Sequence, residues 1–104
     1  MKMDSKFIAT EILKQLGGNR FIAMTGAKKF VALENGGLLF ALPSNFAKNG
    51  INHVKIILDV SDTYTISFYK VRGASIKEIK SFTMIYCDQL QNIFTQITGL
   101  NTFL

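Results

Sequence analysis

One cysteine, one proline, one histidine and no tryptophan occur among the 104 residues. A lone cysteine, Cys87, excludes an internal disulfide and any multi-cysteine metal site. With His53 the single histidine, no His-x-His pair exists. No Asp-x-Asp or Cys-x-x-Cys spacing supplies metal ligands in its place. The acids Asp4, Glu11, Glu34, Asp59, Asp62, Glu78 and Asp88 are scattered. Asp59 and Asp62 flank a turn, where Asp commonly bonds backbone. No apolar run approaches the ~20 residues of a membrane helix. The opening stretch "MKMDSKFIATEILKQLGG" has basic residues, but its acids interrupt any signal-peptide core, so a cytoplasmic location is expected.

Hydrophobic residues make up 48% of the chain and charged residues 18%, which argues against disorder. The length suits a single domain, 1–104, with one core. Twelve Lys and Arg against seven acids give +5, a balance that favours acidic partners such as nucleic acid, nucleotides or an acidic protein surface. A charge of this size also serves solubility alone.

Residues 4–19, "DSKFIATEILKQLGGN", read as a helix. Asp4 or Ser5 caps it, Gly17 ends it, and Ile8, Ile12 and Leu16 form its apolar stripe. "RFIAM" reads as a short strand. "FVALENGGLLFAL" reads as a hairpin around a two-residue Asn35-Gly36 turn, in which Leu33 pairs with Leu38. That register puts Val31, Leu33, Leu38, Phe40 and Leu42 on one face and Phe30, Ala32, Leu39 and Ala41 on the other. Pro43 ends the strand and a loop follows. "HVKIILD" and "YTISFYKVRG" form a second hairpin. A three-residue Val60-Ser61-Asp62 loop aligns Leu58 with Tyr64, Ile56 with Ile66 and Val54 with Phe68. "SIKEIKSF" reads as a last strand. The closing helix is expected from a Thr83 cap, with Tyr86, Leu90, Ile93 and Ile97 on its stripe and an ending at Gly99-Leu100. The tail "NTFL" packs or frays. The expected fold is therefore α+β. It is an antiparallel meander of about five strands, with an N-terminal and a C-terminal helix packed on one face, and without internal repeats.

Three sets of residues are candidates for function. Phe30, Leu39, Ala41 and Ile57 belong to the sheet face that the helices do not cover. They expose ~400 Å² of apolar area, worth roughly 10 kcal/mol gross at ~25 cal/mol per Å² if a partner hides it. A homodimer through this face would use it, as would a protein target, and a covering strand or loop would remove it. Lys55, Tyr69, Lys70 and Arg72 form the second set. A bulge at Phe68-Tyr69 would turn Lys70 and Arg72 outward beside Tyr69, near Lys77 and Lys80, a composition that suits single-stranded nucleic acid. The alternative is that the strand outruns the core there. No RNP or helix-turn-helix pattern accompanies them. Thr25, Gly26, Lys28 and Lys29, in "TGAKK", form the third, a loop with amides and lysines for an anion. It lacks the frame of a P-loop. His53, expected at a strand start opposite Tyr69, has no assembled nucleophile and acid for a triad. Cys87 is expected as a buried structural residue. Enzymatic activity, a cofactor and a metal are not expected.

The stretches "LKQLGGNRFIAMTGAKKFVALENGGLLFALPSN" and "YCDQLQNIFTQITGL" resemble a group of small proteins encoded by bacteriophages and mobile elements of bacteria. The resemblance spans nearly the whole chain, from about Ile12 to Leu104. It carries over no catalytic residue. What it implies is a setting in a bacterial host cell and action by binding: blocking a host defence component, sequestering a nucleotide signal, or handling DNA.

Overall fold

The computed structural model describes residues 4–43 and 47–100. Two helices, α1 (Ser5–Leu16) and α2 (Asn19–Thr25), precede the strands β1 (Lys28–Leu33), β2 (Gly37–Ala41), β3 (His53–Leu58), β4 (Tyr64–Arg72) and β5 (Ser75–Ile85). Helix α3 (Leu90–Thr98) closes the described chain. Short 3-10 turns at Lys48–Gly50 and Cys87–Gln89 complete it. The strands form one antiparallel sheet in the order β1-β2-β3-β4-β5. This is the expected α+β meander. The tail 101–104 and loop residues 44–46 lie outside the described residues.

Local chemistry accounts for α1. The Asp4 carboxylate accepts the Lys6 N–H at 3.2 Å, and Gly17, at φ +129°, ends the helix by donating to the Leu13 and Lys14 carbonyls. Ile8, Ala9, Ile12 and Leu16 point inward. Beneath them lie Leu38, Phe40, Val54, Ile56, Tyr64, Ile66 and Phe68 from the sheet. Leu90 and Phe94 of α3 join the same core.

"RFIAM" is helical, where the sequence reading has a strand. The chain restarts a helix after Gly17-Gly18, and the four-residue spacing of Phe21 and Thr25 buries one face of it. Phe21 then meets Phe94 edge-on at 4.9 Å and Phe40 at 5.6 Å. A short internal likeness accompanies this. "FIAMTGA" at 21–27 and "FTQITGL" at 94–100 share Phe, Thr and Gly at matching positions, although no repeat is expected from the sequence reading. In each, the buried Thr hydroxyl donates to the Phe carbonyl at 2.7 Å and accepts the N–H two residues on. Each Gly adopts a left-handed conformation just past the helix. Ala27 and Leu100 then turn into the core.

The hairpin β1–β2 is shifted by one residue from the expected register. Its loop is Glu34-Asn35-Gly36, and Leu33 faces Gly37, Ala32 faces Leu38 and Val31 faces Leu39. Gly36, at φ +92°, supplies the left-handed position that a three-residue loop requires. Gly37 faces the β3 backbone so closely that an added Cβ would lie 2.5 Å from the Ile56 carbonyl oxygen. A one-residue slip exchanges the faces of β1. Phe30 therefore stacks inward near Phe40, at 5.5 Å between ring centroids, and Val31 points out. The faces of β2 stay as expected. Hairpin β3–β4 has the expected register and the three-residue loop, with Asp62 at φ +63°.

Strand β5 is longer than expected and α3 starts later. Thr83, read as a helix cap, is inside β5, and Leu90 opens α3. Tyr86 begins the intervening turn, where its N–H donates to Gln89 Oε1 at 2.9 Å. Cys87 lies on that turn and is exposed, not buried. Edge strands need only one covered face. Thr83 and Met84 therefore continue the ladder past the point where apolar spacing first fits a helix.

Candidate binding surface on the outer face of the sheet

Alternation along the central strands fixes two faces. Residues even in the β2–β3 pairing meet the helices. Leu39, Ala41, His53, Lys55 and Ile57, with Thr65, Ser67, Tyr69 and Val71 of β4, share the other face. The loop after Pro43 does not cover it on the described side. Ala47 and Ile51 enter the core, and the Lys48–Gly50 turn packs against α3.

A groove of about 390 Å³ crosses this face, lined by Leu39, His53, Lys55, Tyr69, Val71 and Ile76. Only strand residues form it. The Lys55 ammonium sits over the Tyr69 ring, 5.6 Å from its centroid, a cation–π contact that holds both side chains across the groove. Beside it, the Ser67 and Ser81 hydroxyls hydrogen-bond at 3.0 Å and add a small polar step.

His53 is oriented from behind. The Asn52 side chain accepts the Val71 N–H at 2.8 Å and donates to the Val71 carbonyl at 2.9 Å, like an extra strand residue. Its Oδ1 is thereby identified as an acceptor, so His53 Nδ1, 3.0 Å away, donates to it. The Nε2 of neutral His53 is left as the acceptor. Burial, and then the nearby Lys29 ammonium, hold the His53 pKa below its ordinary value. The ring is therefore neutral at pH 7.

The first predicted set is divided. Leu39 and Ile57 are half-buried on the outer face, as expected. Phe30 is not there. It packs under α1, where it lines a cavity with Ala9, Leu13 and Leu38. Ala41 lies on the outer face but is covered by its neighbours and presents almost no area. The second set is divided as well. Lys55 and Tyr69 meet. Lys70 is on the opposite side of β4, its stem against Gly50 and its backbone facing Lys77. A bulge does occur at Phe68-Tyr69, but the added residue is in β5. Lys80 faces Phe68 and Glu78 faces Tyr69, so the faces of β4 do not turn over. Lys70 and Arg72 outrun the core at the strand end instead of joining Tyr69.

The "TGAKK" segment does not form an open anion cradle. Thr25 is buried and its hydroxyl is committed to Phe21 and Ala27. Gly26 caps α2 against Pro43, and only Lys28 and Lys29 reach solvent. Val71 and Ile76 were missed by the sequence reading. Val71 follows from alternation two residues past Tyr69, whereas Ile76 needs the register of β5, which its pattern leaves open.

Among the described residues no group of three His, Cys, Asp or Glu side chains could hold a metal ion. No helix among them is long and apolar enough to cross a membrane. Comparison with protein-family models, curated proteins and solved structures gives no match to this chain.

Proposed function

We propose that this protein acts by binding rather than by catalysis, and that the outer sheet face docks a protein partner. The observation that carries this reading is the groove of about 390 Å³ walled by Leu39, Tyr69, Val71 and Ile76 on a face built only of strands. Half-buried apolar side chains on a flat, central surface can be desolvated at little ordering cost, because the sheet already holds them. Lys55 and His53 at the same groove select a partner that brings an acceptor or a carboxylate among its apolar groups. The dispersal of the titratable groups, and the commitment of His53 Nδ1 to Asn52, support a non-enzymatic role.

The resemblance to small phage and mobile-element proteins makes a bacterial host component, in particular a defence component in the cytoplasm, the partner to seek first. The test is affinity capture from bacterial lysate with the wild-type chain and with a Leu39→Glu, Ile76→Glu variant. The expected result is a stoichiometric partner held by the wild type and lost by the variant. Equal capture by both, with the fold of the variant intact by circular dichroism, would refute the assignment of this face. A concentration-dependent dimer that the same substitutions abolish would make the partner a second copy of the chain.

One observation favours a second reading. Lys55 over the Tyr69 ring presents a cation and an aromatic plane together, as single-strand nucleic-acid surfaces do. Phosphate contacts make such binding fall steeply with salt. A titration of single-stranded oligonucleotide at two salt concentrations decides it. Binding that is absent, or insensitive to salt, removes nucleic acid from consideration.

A further inference from the structure

The end of the sheet opposite to the Arg72–Ser75 turn carries a concentration of exposed apolar groups that the outer-face reading does not use. Six large hydrophobic side chains are well exposed among the described residues, and four of them gather here: Phe7, Val60, Met84 and Tyr86. Tyr64 is their hub. Its backbone faces Leu58 on one side and Ile85 on the other. Val60 lies two residues beyond Leu58, Met84 and Tyr86 flank Ile85, and Phe7 lines a cavity of about 290 Å³ with Leu58 and Tyr64.

Two features of this end are not what packing alone would select. Met84 has φ +57°, a left-handed backbone that costs a non-glycine residue roughly 1–2 kcal/mol. It sits in the β5 irregularity between the Tyr64–Ile85 and Ile66–Phe82 pairs, and there the side chain is 62% exposed. Only a sulfur contact to the Thr63 hydroxyl, at 3.9 Å, is made inside the chain. The second feature is Gln15, which walls the cavity with a buried Oε1 that has no hydrogen-bond partner. A buried acceptor left unmade costs stability, and a donor from outside would satisfy it.

The charge here is of one sign. Glu11, Asp59, Asp62 and Asp88 surround the hub. Glu11 is paired with Lys14 at 3.7 Å, and Asp59 accepts the Thr65 hydroxyl at 2.8 Å. The Tyr64 phenol is pushed up by burial, against a Gln15 hydrogen bond, with Cys87, Glu11 and Asp62 adding to the rise. Lys28, Lys70, Arg72 and Lys77 all lie toward the other end of the strands. The molecule is therefore polarised, and a cationic partner is steered to this end.

We propose that Phe7, Val60, Met84 and Tyr86 form a docking surface for a basic, amphipathic segment of a partner protein, whose apolar side chains cover Met84 and enter the Phe7–Tyr64 cavity while its Lys or Arg groups meet Asp62 and Asp88. Aromatic and methionine side chains are the residues that carry such contacts. The surface is independent of the outer face, so either can fail alone.

The experiment is selection of a displayed library of random dodecapeptides on the full chain. Selected peptides should carry Lys or Arg beside Leu, Phe or Trp, and their binding should weaken with salt. A Val60→Ser, Met84→Ser variant should lose about 10-fold or more in affinity, as expected when contact residues are truncated. Leu39→Glu should leave binding unchanged. Both variants alter exposed or partly exposed side chains, and circular dichroism checks that they fold. Peptides without basic residues, no enrichment at all, or equal binding by the Met84 variant would overturn the proposal. Self-association in sedimentation that the Met84 variant abolishes would assign the surface to a second copy and overturn it too.

Discussion

Replacing Phe30 by Ala and, separately, Val31 by Ala decides which side of β1 meets the helices, and hence what the outer face is made of. In the observed register Phe30 stacks near Phe40 at 5.5 Å and is half-buried beneath α1, while Val31 is 49% exposed. Truncating a fully buried Phe costs about 3–5 kcal/mol, so a half-buried one should cost ~2 kcal/mol. Val31→Ala, at an exposed position, should cost ~0.5 kcal/mol. A domain of this length loses about 4 °C or more of melting temperature per kcal/mol. Phe30→Ala should therefore melt ~8 °C below the wild type and Val31→Ala only ~2 °C below it, read by circular dichroism at 222 nm or any equivalent probe of the helices. The two-residue Asn35-Gly36 turn makes the opposite forecast. There Val31 is in the core and Phe30 is outside. A larger loss for Val31→Ala than for Phe30→Ala would refute the shifted register and return Phe30 to the docking surface.

Gly37→Ala tests the same register from the partner strand. A Cβ 2.5 Å from the Ile56 carbonyl oxygen and 2.7 Å from Ile57 Cδ1 must push β2 and β3 apart, at a cost of about 1–3 kcal/mol in chemical denaturation, and a neutral result would contradict the close approach. Thr98→Val keeps the shape but leaves the buried Leu100 N–H without the hydroxyl that accepts it, so the variant should lose ~1–3 kcal/mol, and Thr25→Val should behave alike through Ala27. Denaturation of either at wild-type midpoint would show that the hydroxyls do not close these helix ends. His53, held below its ordinary pKa of 6.5, binds its proton less readily folded than unfolded. Stability should fall, relative to His53→Gln, as pH drops below 6.5 through the folded value, and should match the variant above 6.5. Parallel pH–stability curves for the two proteins would contradict the environment described for His53.

The groove shows how far residue patterns reach. Leu39, Lys55 and Tyr69 follow from alternation within strands whose partners are joined by short loops, so their shared face was legible. Phe30 and Val31 exchanged places because Glu34-Asn35-Gly36-Gly37 fits two turn lengths, and a string of apolar residues on both faces gives no preference between registers. Lys70 and Arg72 were separated from Tyr69 because the extra residue sits in β5, and a bulge can be assigned to one strand or the other only when both are seen paired. Met84 had no sequence signal at all. Its neighbours Ile85 and Tyr86 fit a helical stripe as well as a strand end, and a left-handed backbone at methionine is not written in the residue type.

The residues alone determined the α+β meander, the Asp4 cap and Gly99 ending, and the β3–β4 register, since each depends on contacts between near neighbours or on one loop of fixed length. The tertiary structure decided the helical state of "RFIAM", the face that Phe30 enters and the start of α3. Those depend on which distant apolar groups are available to pack against, as Phe21 finds Phe40 and Phe94, and burial energy of that kind outweighs the small local preferences that a sequence displays.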